Sequence, residues 1–93
     1  RVEPAEIERL LNSIVGVESA AVMSMPDPVS GSRIVAAVCG NGLSQQLLRN
    51  TVANALPGYM RPAFYVFPDS MPVLANGKTD YQALDRMIDK ELS

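Results

Sequence analysis

Val17-Glu18-Ser19-Ala20-Ala21-Val22-Met23-Ser24-Met25 and Arg33-Ile34-Val35-Ala36-Ala37-Val38-Cys39 are the two runs on which the fold turns. Both are short and rich in Val and Ala. Pro26-Asp27-Pro28 and Ser30-Gly31-Ser32 lie between them, so the pattern predicts two strands around a proline-rich loop. Ile34 to Cys39 is apolar without interruption, as in a central strand covered on both faces. Such a sheet needs helices to cover it, and the flanking sequence supplies them.

Upstream, Pro4 suits a first helical turn. Ile7, Leu10, Leu11 and Ile14 follow at i, i+3, i+4, i+7, opposite Glu6, Glu8, Arg9 and Asn12, with Gly16 as the expected stop. Downstream, Gly40-Asn41-Gly42 breaks the chain. Ser44 then caps a helix that carries Leu48, Val52, Ala55 and Leu56 on one side and ends at Pro57-Gly58. Ala63 to Phe67, aromatic and bounded by Pro62 and Pro68, reads as a third strand. Asp69 to Gly77 is expected to be irregular, because Pro72 and Asn76-Gly77 punctuate it. Thr79 stands three residues before Gln82, a capping-box spacing, and opens a last helix with Leu84, Met87, Ile88 and Leu92 on one face. The order α-β-β-α-β-loop-α describes an α+β domain, a small three-stranded sheet covered by helices. Ile7, Leu11, Ile14, Leu48, Val52, Leu84 and Ile88 are its expected core.

Ninety-three residues make one small domain. Eight Lys and Arg against ten Asp and Glu give a net charge of -2, without the basic excess of a protein that coats nucleic acid or an anionic membrane. Ile34 to Pro68 holds only Arg49 and Arg61 as charged residues, which fits a buried sheet core better than a basic surface. Histidine is absent and Cys39 is the only cysteine. That removes the usual zinc ligands, every Ser-His or Cys-His catalytic pair and any internal disulfide, so no metal site is expected. No apolar run approaches the roughly 20 residues of a spanning helix, and a lone thiol fits a reducing, cytoplasmic setting. A chain that opens on Arg1 with no leader is expected to be a piece of a longer protein.

Asn76-Gly77-Lys78 is the triplet with the most chemical interest. Asn and Gly tolerate positive φ, so the chain can turn tightly and project Lys78 from the tip, where an ammonium reaches phosphate or carboxylate oxygens as a point charge. Most turn lysines are simply solvated, and the residues alone leave both readings open. Glu3, Glu6 and Glu8 are explained by the helix dipole. Tyr59, Phe64, Tyr65 and Phe67 around Arg61 superficially resemble a stacking surface for single-stranded nucleic acid, but their alternation suggests strand packing. The five Met residues read as core filler and Cys39 as a buried, inert thiol.

Three strings in order resemble one family. Arg1-Val2-Glu3-Pro4-Ala5-Glu6-Ile7-Glu8 looks like the end of the G-x-R-I-E-x-x-E-I-E motif of adenylate-forming enzymes. Leu56-Pro57-Gly58-Tyr59-Met60-Arg61-Pro62 is similar to their L-P-x-Y-M-x-P motif, and Asn76-Gly77-Lys78-Thr79-Asp80 to their N-G-K-x-D motif. The chain is identified on this basis as resembling the C-terminal subdomain, residues 1–93, of a nonribosomal peptide synthetase adenylation domain or a D-alanine:carrier-protein ligase, with the first hairpin and the hinge missing. The resemblance implies a mobile lid of an ATP- and Mg2+-dependent ligase acting in antibiotic or other secondary-metabolite biosynthesis. Its large N-terminal subdomain would bind the nucleotide and an amino acid. Lys78, on the loop supported by Asn76 and Gly77, would be catalytic in forming aminoacyl-AMP. After rotation, the face that includes Arg1 and Glu3 would meet the phosphopantetheine thiol of a carrier protein.

The family commonly has Arg where this chain has Tyr81, and L-T-P where it has Val73-Leu74-Ala75. Tyr81 removes a salt bridge or phosphate contact expected to hold the loop. Without its large partner the chain is expected to be an inactive monomer. Two other readings are a lid of an acyl- or aryl-CoA ligase, against which Met60 and Asn76 speak, and a non-catalytic interaction domain, against which the retained Lys78 speaks.

Overall fold

The computed structural model describes residues 3–29 and 31–92. Strands β1 (Val17–Asp27) and β2 (Gly31–Gly40) pair antiparallel from Val17 opposite Gly40 to Asp27 opposite Gly31, with one irregularity between Val17 and Ser19. Strand β3 (Phe64–Val66) joins the other side of β2 in parallel, so the order is β1-β2-β3. A parallel neighbour requires a crossover, which helix α2 (Gln45–Ala55) and a 3-10 turn at Gly58–Met60 provide. The proline-rich segment is strand for longer than its composition predicts, since Pro26 pairs with Ser32. An edge strand tolerates the missing N–H there. The third strand is shorter than the expected 63–67, although the Ala63 N–H still donates to the Ile34 carbonyl at 2.8 Å.

Both faces of the sheet are apolar, with the two-residue alternation that strands impose. Ala20, Val22, Ile34, Ala36 and Val38 face α2 and helix α1 (Pro4–Asn12), where they meet Ile7, Leu11, Leu48 and Val52. Ala21, Met25, Val35, Ala37 and Val66 face helix α3 (Tyr81–Leu92) and meet Leu84 and Ile88. The alanines let helices approach the sheet closely on either side. Six of the seven expected core residues are fully enclosed, but Ile14 is half-buried at the margin of the α1 face.

The reason is that α1 ends at Asn12, short of Gly16. The Ser13 hydroxyl turns back to the Leu10 carbonyl at 2.6 Å and the Asn12 amide to the Glu8 carbonyl at 2.9 Å, which closes the helix. Gly16, at φ +97°, instead turns the chain into β1. Helix α2 begins as expected, with the Ser44 hydroxyl oxygen accepting from the Leu47 N–H at 3.0 Å. Helix α3 does not. Thr79 is drawn into a bridge with Val73, and the Asp80 carboxylate caps the helix by accepting from the Ala83 N–H at 3.1 Å.

Candidate functional site

Lys78 sits in a hairpin whose geometry is fixed by its own residues. The Gly77 N–H donates to the Leu74 carbonyl at 2.9 Å, and the Leu74 N–H donates to the Lys78 carbonyl at 2.7 Å. The Asn76 side-chain oxygen accepts from the Lys78 N–H at 3.0 Å, a local turn contact typical of Asn. Gly77 has φ +86°, and an added Cβ would meet nothing within 4 Å, so the demand for glycine is conformational rather than steric. Residues 73–78 are exposed. Among the described residues the Lys78 ammonium has no carboxylate within ion-pair distance. The turn therefore presents a free cation at the tip of a stiff loop.

The hairpin is tied into the domain at its C-terminal end. The Tyr81 hydroxyl lies 2.9 and 2.8 Å from the two carboxylate oxygens of Glu8 and donates between them. The same carboxylate accepts the Val22 N–H of β1 at 2.9 Å. One helical turn on, Asn12 pairs with Ala20 as a strand neighbour would: its Oδ1 accepts from the Ala20 N–H at 3.0 Å and its Nδ2 donates to the Ala20 carbonyl at 3.2 Å. Two side chains of α1 thus cover the open edge of β1, which would otherwise template pairing with another chain. Partial burial, the hydrogen bond to Glu8 and its charge together push the Tyr81 phenol up to about 12. It stays a donor throughout the physiological range. The sequence gives no sign of this pairing, because the partners are 73 residues apart. Where the family's Arg is expected, this chain has a hydroxyl donor held by Glu8. The dipole account of Glu8 is incomplete.

The middle motif has a structural explanation. Met60 and Pro62 are buried, whereas Tyr59 is exposed. Arg61 closes the end of α2, with Nε donating to the Leu56 carbonyl at 3.1 Å and Nη2 to the Ala53 carbonyl at 3.2 Å. The arginines that stack are others: Arg33 lies 4.7 Å from the Phe64 ring centre and Arg49 5.5 Å from that of Tyr65, which is buried. Cys39 is buried with its thiol 3.2 Å from the Pro68 carbonyl, and burial, with Glu18 and Asp69, pushes it up.

Of the first motif, Arg1 lies outside the described residues. Glu3 is exposed and extended just before α1; its carbonyl accepts from the Glu6 N–H at 3.0 Å and its side chain caps nothing. Among the described residues no three His, Cys, Asp or Glu side chains converge. No helix among them is long and apolar enough to cross a membrane.

Compared with known proteins, residues 6–78 match the AMP-binding enzyme C-terminal domain. The chain belongs to that family. As a member of the AMP-binding C-terminal domains it is 39% identical over 84 residues to surfactin synthase subunit 2 of Bacillus subtilis (strain 168); that match takes in 90% of this chain and 2% of the synthase. Among solved structures, a four-domain nonribosomal peptide synthetase bound to AMP and glycine superposes with a TM-score of 0.81 at 34% identity, over 89% of this chain and 6% of that one. A Mycobacterium tuberculosis fatty acyl CoA synthetase does so with a TM-score of 0.86 at 30% identity, over 92% and 18%. This AMP-binding C-terminal domain thus spans a small fraction of its relatives, which are adenylate-forming enzymes, and its three helices and mixed three-stranded sheet are theirs.

Proposed function

We propose that the chain is the mobile lid of an amino-acid-activating ligase, completed upstream by a hinge, a hairpin and a large subdomain that binds ATP, Mg2+ and the amino acid. In the first half-reaction a substrate carboxylate oxygen attacks the α-phosphorus of ATP and the bond to pyrophosphate breaks. Both reactants are anionic. An ammonium held between them offsets their repulsion and fixes the in-line approach, and a preorganised charge of this kind acts most strongly where water is excluded. Lys78 is suited to that place because its hairpin holds the backbone rigid while leaving the side chain unpaired, and this is the observation that carries the reading. Asn76 and Gly77 support it by making the turn.

In the second half-reaction a phosphopantetheine thiol of a carrier protein attacks the acyl carbonyl and AMP leaves. The segment around Arg1 and Glu3 is the proposed thiol-side face, and the cytoplasm is the proposed compartment. A second reading, the lid of an acyl-CoA ligase, is favoured by the superposition on the fatty acyl CoA synthetase. It differs in the thiol accepted, coenzyme A instead of a carrier. Amino-acid-dependent ATP–pyrophosphate exchange tests the proposal. The parent protein should exchange with at least one amino acid and the isolated chain with none, because the pockets belong to the large subdomain. Exchange by the isolated chain, or none by the parent with any amino acid, would contradict it.

A further inference from the structure

We propose that Tyr81 is a positioning residue for Lys78, its hydroxyl tying the lysine hairpin to α1 and to the outer edge of the sheet through Glu8. The role given to Lys78 rests on the reading above; the tether itself does not.

The hairpin's other hydrogen bonds are internal. Leu74 and Gly77 bond within the turn, Asn76 bonds to Lys78, and the Asp80 N–H reaches back to the Pro72 carbonyl at 2.9 Å. These fix the shape of the turn without fixing its place on the domain. Apolar packing on the α3 face grips the segment at Met71 and next at Leu84, well to either side of Lys78. Between those anchors, among the described residues, Tyr81 alone has a side-chain hydrogen bond to a distant element. The tether also joins the two layers. Helix α3 packs on one face of the sheet and α1 on the other, and the bond from Tyr81 to Glu8 passes round the edge of β1 to link them.

Glu8 is a firm anchor because its carboxylate is itself held by the Val22 N–H. A carboxylate accepts several hydrogen bonds, so holding β1 and Tyr81 at once creates no conflict. The hydroxyl donates to that carboxylate at 2.8 Å, an ordinary length for an O–H···O bond. Tyr81 stands three positions after Lys78, so freedom at the start of α3 passes directly to the ammonium.

The test uses Tyr81→Phe, which deletes only the hydroxyl, and Tyr81→Arg, which restores a donor able to reach Glu8. Amide hydrogen exchange on this chain reads the tether without any reference to catalysis. In Tyr81→Phe the Val22 amide, which shares the Glu8 carboxylate, and the Ala83 and Leu84 amides at the start of α3 should exchange about three- to tenfold faster, the loss of one partly exposed charge-assisted hydrogen bond, while the core amides of β2 change less. Tyr81→Arg should recover most of that protection. In the parent enzyme Tyr81→Phe should slow adenylate formation by a similar factor and leave thioester formation from supplied adenylate unchanged, a split that general loss of folding would not give. Unchanged exchange at Val22, Ala83 and Leu84 would overturn the tether. Loosened exchange with an unaltered adenylation rate would overturn the positioning role, provided Lys78→Ala is inactive in the same assay. If Lys78→Ala is itself active, the reading of Lys78 fails, and the tether is judged by the exchange result alone.

Discussion

Asn12 offers a test of how β1 is protected. Its amide makes three contacts: Nδ2 donates to the Glu8 and Ala20 carbonyls, and Oδ1 accepts the Ala20 N–H. Asn12→Ala removes the two bonds to β1, each worth about 0.5 to 1.5 kcal/mol net, and the part-buried Ala20 groups must then find water. The expected loss is about 1 to 3 kcal/mol. Asn12→Asp keeps the acceptor but puts a carboxylate oxygen against two carbonyls. At neutral pH it should therefore cost at least as much as Ala, and lowering the pH should relieve it, because a protonated carboxyl can donate again. Urea unfolding followed by circular dichroism reads both variants. With a slope of about 1 to 1.5 kcal/mol/M for a domain this small, the midpoint should fall by about 0.7 to 3 M. The freed edge should also raise the tendency of Asn12→Ala to self-associate, visible by light scattering. Both variants unfolding at the parent midpoint would refute the edge account.

Leu48→Ala, at a fully enclosed position, should cost about 2 to 5 kcal/mol, enough to unfold much of a marginal domain, whereas Ile14→Ala, at the rim, should cost less; equal midpoints in urea would reject this ranking. Alkaline stability should follow Tyr81. Its folded-state value is raised from 10 to about 12, so its contribution is complete below pH 10 and is lost as the pH rises through 12. Tyr81→Phe should show a shallower decline over that window, though not a flat one, because Cys39 and Tyr65 are also pushed up by burial. A decline as steep in the variant as in the parent would remove Tyr81 from the alkaline transition.

The elements legible in the sequence are those set by short-range periodicity. Ile34 to Cys39 reads as a central strand because both faces are covered, and the structure puts β2 in the middle for that reason. Ser44 reads as a cap because a hydroxyl before an amphipathic run has little else to do, and it caps α2. Ile14 and Thr79 misled because each also satisfies a periodic pattern, but local competition decided both. The side chains of Asn12 and Ser13 end α1 before Ile14, and pairing with Val73 takes Thr79 away from the helix. The Asn76-Gly77-Lys78 turn was readable from three adjacent residues. The contact that anchors it was not, since Glu8 and Tyr81 meet only after the sheet and its helices have assembled. Arg61 stands among aromatics in the sequence, but its guanidinium satisfies carbonyls at the end of α2, a role that proximity in sequence does not reveal.

The central claim is that Lys78 supplies one charge to one half-reaction. The most direct measurement takes a single preparation of the parent enzyme with Lys78→Ala and determines both rates: adenylate formation from ATP and amino acid, and thioester formation from separately supplied aminoacyl-adenylate. Removing one preorganised charge typically costs about 10² to 10³ in rate. Adenylation should fall by at least that factor while thioester formation stays within a few-fold, and Lys78→Arg should rescue poorly because a broad guanidinium cannot take the place of a compact ammonium between two anions. Undiminished adenylation, or equal loss in both half-reactions, would contradict the account.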